Sequence, residues 1–185
     1  MTTSETTAPP TDDEAVAAAA ETVLRDWLGE NDLEWELGGR RGEYVVTLPG
    51  EKKLKTVVSV VIKPRQTSVS AFVIRHPDEN EGEFYKALLR RNLRMPSLAY
   101  AVDASGDVYV KGEVPTAGVD AETVDRLLGV ALDAADSPFD DLLVIGFLSS
   151  MRKEWAWRVS RGESLRNLEA FRPLLERAGD PPPAD

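Results

Sequence analysis

Between Lys55 and Arg75 the chain writes two runs of alternating side chains around a short reversal. In Lys55–Lys63, Val57 and Val61 fall on one side and Val58, Val60 and Ile62 on the other. In Ser68–Arg75, Val69, Ala71 and Val73 alternate with Ser70, Phe72 and Ile74. β-Branched and aromatic residues at period two predict a pair of strands, with Pro64-Arg65-Gln66-Thr67 as the turn. Apolar residues on both faces predict a place in mid-sheet, covered on at least part of both sides. The remaining chain is read as what pairs with this hairpin and packs on it.

Upstream, Thr11 and Glu14 have capping-box spacing and open a helix whose stripe is Val16, Ala20, Val23, Leu24, Trp27 and Leu28. Trp27 is the expected knob against the sheet. Leu33–Leu37 and Glu43–Leu48 read as strands joined by Gly38-Gly39-Arg40-Arg41-Gly42. That turn lacks the spacing of a phosphate-binding loop and no helix follows it, so it is a hairpin loop. After the central hairpin, Asp78 is the expected cap of a helix with Glu81 reciprocating, and Phe84, Ala87 and Leu88 face inward.

Met95-Pro96 ends that helix. Leu98–Val102 and Val108–Val114 then form a second hairpin through a turn-rich loop. A helix capped by Asp120 carries Val124, Leu127, Leu128, Ala131 and Leu132. Ser137-Pro138 is expected to cap the next, whose apolar series runs from Phe139 to Val159 and stops at Gly162. Ser164 is expected to begin a last helix with Leu165, Leu168, Phe171, Leu174 and Leu175 on one side, which Pro173 kinks or ends.

The predicted fold class is α+β: an antiparallel sheet with helices packed on it, in the order α-ββββ-α-ββ-α-α with one further helix. Residues 1–10 and 179–185 read as disordered tails, 11–162 as the domain and 163–178 as a helical extension.

Composition bounds the function. The chain has 22 Lys and Arg against 32 Asp and Glu, a net charge of −10, and no cysteine. Nucleic acid and anionic membranes are disfavoured partners for such a charge. Thiolate metal sites, disulfides and cysteine nucleophiles are excluded. No apolar run approaches a membrane span, and the N-terminus lacks a signal peptide's basic and apolar regions, so a cytoplasmic protein is expected.

His76 is the single histidine. Catalysis would need a nucleophile such as Ser70 or Ser149 beside it, and a metal would need Asp78, Glu79 or Glu81; neither set is fixed by spacing. A structural role at a strand-to-helix corner accounts for these residues, and a ligand site built from Arg75, His76 and Arg91 is the alternative. The second candidate is Glu154-Trp155-Ala156-Trp157-Arg158. Trp155 lies on the apolar stripe. Trp157 lies off it and is either exposed beside Arg152, Arg158 and Arg161, as at an interface hot spot, or covered by the last helix around Leu168 and Phe171. No catalytic, metal or cofactor constellation is visible.

AFVIRHPDENEGEFYKALLRRNLRM, DVYVKGEVP and LLVIGFLSSMRKEWAWRVSRGESLRNLEAF resemble the YbjN family in its actinobacterial form. The likeness covers most of Glu21–Phe171. It implies a fold like the type III secretion chaperones, a small dimer, and a regulatory role without an established enzymatic activity. The expected function is therefore a non-enzymatic cytosolic regulator or chaperone-like adaptor, a homodimer with an unidentified protein partner. A small-molecule-sensing regulatory domain is the alternative.

Overall fold

The computed structural model describes residues 11–166 and 169–177. The elements run α1 (Asp12–Glu30), β1 (Glu34–Leu37), β2 (Glu43–Pro49), β3 (Lys55–Ile62), β4 (Gln66–Ile74), α2 (Glu81–Asn92), β5 (Leu98–Val102), β6 (Val108–Pro115), α3 (Ala121–Asp136), α4 (Phe139–Arg161) and α5 (Arg172–Arg177). Short 3-10 turns fill Thr116–Gly118 and Glu169–Phe171. The six strands form one antiparallel sheet in the order β1-β2-β3-β4-β6-β5, which sets the β3–β4 hairpin at its centre.

Residues opposite one another across an antiparallel ladder share a face. One row of partners crosses the sheet as Trp35, Val46, Val58, Ala71, Val110 and Tyr100. The next row is Leu37, Tyr44, Val60, Val69, Gly112 and Leu98. Between β2 and β5 these side chains are buried and form the core with Leu24 and Leu28 of α1 and Val124, Leu127, Leu128 and Ala131 of α3. The intervening rows make the opposite face: Glu36, Val45, Ser59, Ser70, Lys111 and Ala99, flanked by Val57 on β3 and by the Phe72–Tyr109–Ala101 row. That face is only partly covered, since Val57 and Phe72 remain exposed. The apolar residues on it do not all find a helix.

The capping box of α1 forms as expected: the Thr11 hydroxyl accepts from the Glu14 amide while the Glu14 carboxylate accepts from the Thr11 amide. Asp120 accepts from the Thr123 amide and Gly162 closes α4 at φ 64°. Trp27 packs partly buried against the core, beside the fully buried Leu24 and Leu28 of α1. Three local expectations are corrected. Ser137 caps no helix start; its amide donates to Asp133 as the C-cap of α3, and α4 begins at Phe139 after Pro138. α2 begins at Glu81 behind Asn80 in a left-handed conformation with no side-chain cap, because Asp78 and Glu79 are engaged elsewhere. No helix starts at Ser164; helical structure resumes at Glu169, and Pro173 sits in the first turn of α5, where its missing N–H costs nothing. Leu168 lies outside the described residues.

Candidate functional site

The segment Arg75–Asn80, between β4 and α2, is wedged against the middle of α4. The amides of Asp78 and Glu79 both donate to the Gly146 carbonyl, at 2.9 and 3.1 Å, and the Asn80 side chain donates to the Ile145 carbonyl. Glu79 answers from the other side, accepting from the Ser149 amide at 2.7 Å and from its hydroxyl at 2.6 Å. The chain reaches α4's backbone this closely because position 146 is glycine: a Cβ there would meet Pro77 and Phe84 at 2.8 Å. Two stretches far apart in sequence thus form one joint.

Charge is settled locally at this joint. The Arg75 guanidinium grips Asp78 with two hydrogen bonds, at 2.6 and 2.8 Å, and lies 4.4 Å from the centre of the Phe147 ring. Arg75, helped by the Ser150 hydroxyl, holds the Asp78 carboxyl down at about 2. Ser149 lowers Glu79 in the same way. His76 donates its backbone amide to Asp107, and its Nδ1 lies 2.8 Å from the Pro77 carbonyl. Neither Ser70, on the outer sheet face, nor Ser149, whose hydroxyl goes to Glu79, is hydrogen-bonded to that ring. Among the described residues, no three His, Asp or Glu side chains cluster so as to hold a metal ion.

Arg91 does not join Arg75 and His76. It sits at the far end of α2, about 15 Å along the helix by its rise, and pairs with Asp141 at 3.4 Å. Arg90, Arg91 and Arg94 line a separate cleft with Tyr100 and Asp133.

Beside the joint, α4 and the end of β4 enclose an open groove of about 530 Å³. Its walls are Phe72 and Ile74 from β4 and Phe139, Leu143, Phe147 and Met151 from α4, together with Phe171. Arg75 and Glu154 are its charged margins. At the Phe139 end, the Lys53 ammonium donates to the Phe72 and Val73 carbonyls and lies 5.7 and 5.5 Å from the Phe72 and Phe139 ring centres. Burial pushes this amine below its ordinary value, against the pull of Asp136. No local pattern singles out Lys53, because its setting is made by the β2–β3 loop folding onto α3.

That loop has an anchor of its own. Asp136 is buried at the end of α3, and its carboxylate accepts from the backbone amides of Glu51, Lys52 and Lys53. A side chain thereby does for the loop what a strand partner would do.

On the last turns of α4, Trp155 is buried and carries Arg172 of α5 over its ring, 5.2 Å from the centre. Trp157 is 44% exposed with Arg161 stacked on it at 4.8 Å. Arg158 is occupied, donating to Glu154 at 2.6 Å and to the Ser164 carbonyl. Arg152 is half-buried. Of the expected cluster, Trp157 and Arg161 stand together at the surface.

The fold has solved counterparts. A chain of the ExsC–ExsE complex superposes with a TM-score of 0.52 at 18% identity, over 68% of this chain and 95% of that one. A chain of the complex between the Yersinia pestis type III secretion chaperone SycH and a fragment of YscM2 gives 0.47 at 18% identity, over 63% and 96%. At 18% identity, the likeness to the chain of the ExsC–ExsE complex is one of fold. In sequence, ML2442 of Mycobacterium leprae is 48% identical over 136 residues, 74% of each chain, and Rv0487 of Mycobacterium tuberculosis is 48% identical over 134 residues, 72% of this chain and 73% of that protein. Residues 21–143 match the family described as "Putative bacterial sensory transduction regulator". That match runs from the middle of α1 through the first turn of α4 and so takes in the whole sheet and the strand-to-helix corner: the chain belongs to the YbjN family.

Proposed function

We propose that this chain is a non-catalytic, cytoplasmic adaptor or regulator that works as a homodimer and grips a protein partner. The observation that carries the reading is the exposed apolar surface along α4 and the outer face of β4. Phe72, 43% exposed, stands over a groove walled almost wholly by aromatic and aliphatic side chains, and Trp157, 44% exposed, lies on the last turns of α4 apart from that wall. A contiguous apolar surface with charged margins is the mark of an interaction site. An exposed Trp stacked by Arg is the composition of an interface hot spot. The chaperone-like fold supports the same reading, since a chain of similar fold is found in the ExsC–ExsE protein complex. The test pairs two measurements. Light scattering on the purified chain is expected to return the mass of a dimer. Affinity capture from native lysate is expected to retain one stoichiometric protein in moderate salt. A monomer that captures nothing overturns the proposal.

A second reading, a sensor of small molecules, rests on the groove itself. Its volume falls within the ~300–1,000 Å³ of ligand sites, and it too is apolar with a few charged groups at its margin. A ligand that binds only the folded chain raises its melting temperature. A metabolite panel that leaves the melting temperature unmoved removes this reading.

A further inference from the structure

The two edges of the sheet are finished differently. At β5 the chain supplies its own partner: the Asn92 side chain accepts from the Tyr100 amide at 2.7 Å and donates to the Tyr100 carbonyl, while the Leu98 amide donates to Pro96. A side-chain amide thus occupies the place of a further strand. At β1 no such device exists among the described residues. The Gly38 amide donates to the Glu43 carbonyl, which makes Gly38 and Glu43 a bonded pair. Bonded and non-bonded pairs alternate along an antiparallel ladder. Glu36 and Glu34 therefore bond to β2, and the N–H and C=O groups of Trp35 and Leu37 point outward from the sheet. Every residue of β1 is exposed, including Trp35 at 38% and Leu37 at 70%.

The side chains say what this edge accepts. Trp35 and Leu37 lie on the core face, Glu34 and Glu36 on the outer face, and no cation pairs with either glutamate among the described residues. A second copy is a poor occupant. Antiparallel pairing that sets Trp35 against Leu37 of the other copy puts Glu36 opposite Glu36, and pairing centred on Trp35 puts Glu34 opposite Glu36 twice. Like charges directly opposite destabilise a strand pair. We propose that the β1 edge is a docking strand for an extended segment of a protein partner in which Lys or Arg alternates with apolar residues. The basic side chains meet Glu34 and Glu36, the apolar ones cover Trp35 and Leu37, and the backbone bonds run to Trp35 and Leu37. The proposal rests on the protein-binding reading above and specifies a site and a partner chemistry for it, apart from the α4 groove.

The test uses the full chain and a fluorescent peptide of about eight residues that alternates Lys with Val, a length suited to a short strand. A peptide of the same composition with its Lys and Val in separate blocks controls for attraction to the chain's net negative charge. In antiparallel register the Val residues exchange backbone bonds with β1, so N-methylation at Val abolishes binding and N-methylation at Lys leaves it. The alternating peptide is expected to bind about tenfold tighter than the block peptide, and the Glu34→Lys/Glu36→Lys double variant to reverse the preference toward a Glu–Val alternating peptide. In the unaltered chain, hydrogen exchange at the Trp35 and Leu37 amides slows when the peptide binds. Equal binding of all the peptides, binding by none, or any other pattern of N-methyl sensitivity overturns the assignment. A lysate partner captured equally well by the double variant also overturns it, while leaving the adaptor reading intact.

Discussion

Gly146 of α4 lies so close to the Phe84 ring of α2 that a single added methyl would meet it at 2.8 Å, and would meet the Pro77 ring at the same distance. Both neighbours are buried, so neither has room to withdraw. Two effects oppose each other in Gly146→Ala. Alanine favours a helix interior by about 0.5–1 kcal/mol over glycine, while overpacking a filled site costs about 1–3 kcal/mol. The clash is expected to win. The variant should melt below the wild type in a thermal scan, whereas Gly129→Ala on α3, where a methyl meets nothing, should melt at or above it.

Asp136 makes the β2–β3 loop sensitive to acid. Burial alone would raise its carboxyl, but the amides of Lys53, Lys52 and Glu51 outweigh burial and hold it below the ordinary carboxylate value. A carboxyl lowered by folding stabilises the fold above its unfolded value of about 3.9 and loses that contribution as pH falls toward the folded value. Asp136→Asn keeps one acceptor and sets an amide donor against backbone donors. It should cost about 1.5–3 kcal/mol at neutral pH in denaturant unfolding, with the gap to wild type closing in acid.

Glu43 is also held low. The Arg40 side chain, the Ser59 hydroxyl and the Arg40 amide together hold its carboxyl at about 2. Its sign is that of Asp136: the contribution is present above the unfolded value and fades only in strong acid. Carboxyl NMR should find Glu43 ionised at pH 3.5, where an unperturbed glutamate is mostly protonated. Arg40→Ala should move its midpoint upward.

Asn92 closes the β5 edge, and its removal should expose it. In Asn92→Ala the Tyr100 amide and carbonyl lose their partner at a cost of about 1–2 kcal/mol. The strand beside them then becomes a template for another chain. Light scattering over a concentration series should show association beyond the mass the wild type keeps. A variant that is merely less stable and keeps its mass would show that Asn92 serves the fold without guarding the edge.

What could be read from the sequence divides along a physical line. Six strands, the central hairpin and the capping box of α1 were legible because alternation and cap spacing are local. The places where expectation failed are those where a distant segment took the group away. Asp78 and Glu81 have capping-box spacing, yet Arg75 claims Asp78 while Ser149 takes the neighbouring Glu79, and no local rule anticipates that α4 passes there. Arg91 and His76 suit one ligand site by residue type alone, but the length of α2 separates them. The Asp136 anchor and the setting of Lys53 each join residues from opposite halves of the chain. Such sites carry no periodic signal, because folding assembles them.

The two tryptophans of α4 separate stability from interaction. Trp155 is 2% exposed beneath Arg172, and Trp157 is 44% exposed beneath Arg161. Truncating a buried Trp costs about 3–5 kcal/mol, and a surface change away from such features stays within about 0.5 kcal/mol. Trp155→Ala should therefore lower the melting temperature sharply. Trp157→Ala should leave it nearly unchanged while losing either the dimer's mass in light scattering or the captured partner. Arg161→Ala removes the cation stacked on the ring and should reproduce part of that loss; Arg158→Ala breaks a contact to Glu154 within α4 and should not. If Trp157→Ala keeps both mass and partner, the interface lies elsewhere on the molecule, and the open face around Phe72 becomes the surface to mutate next.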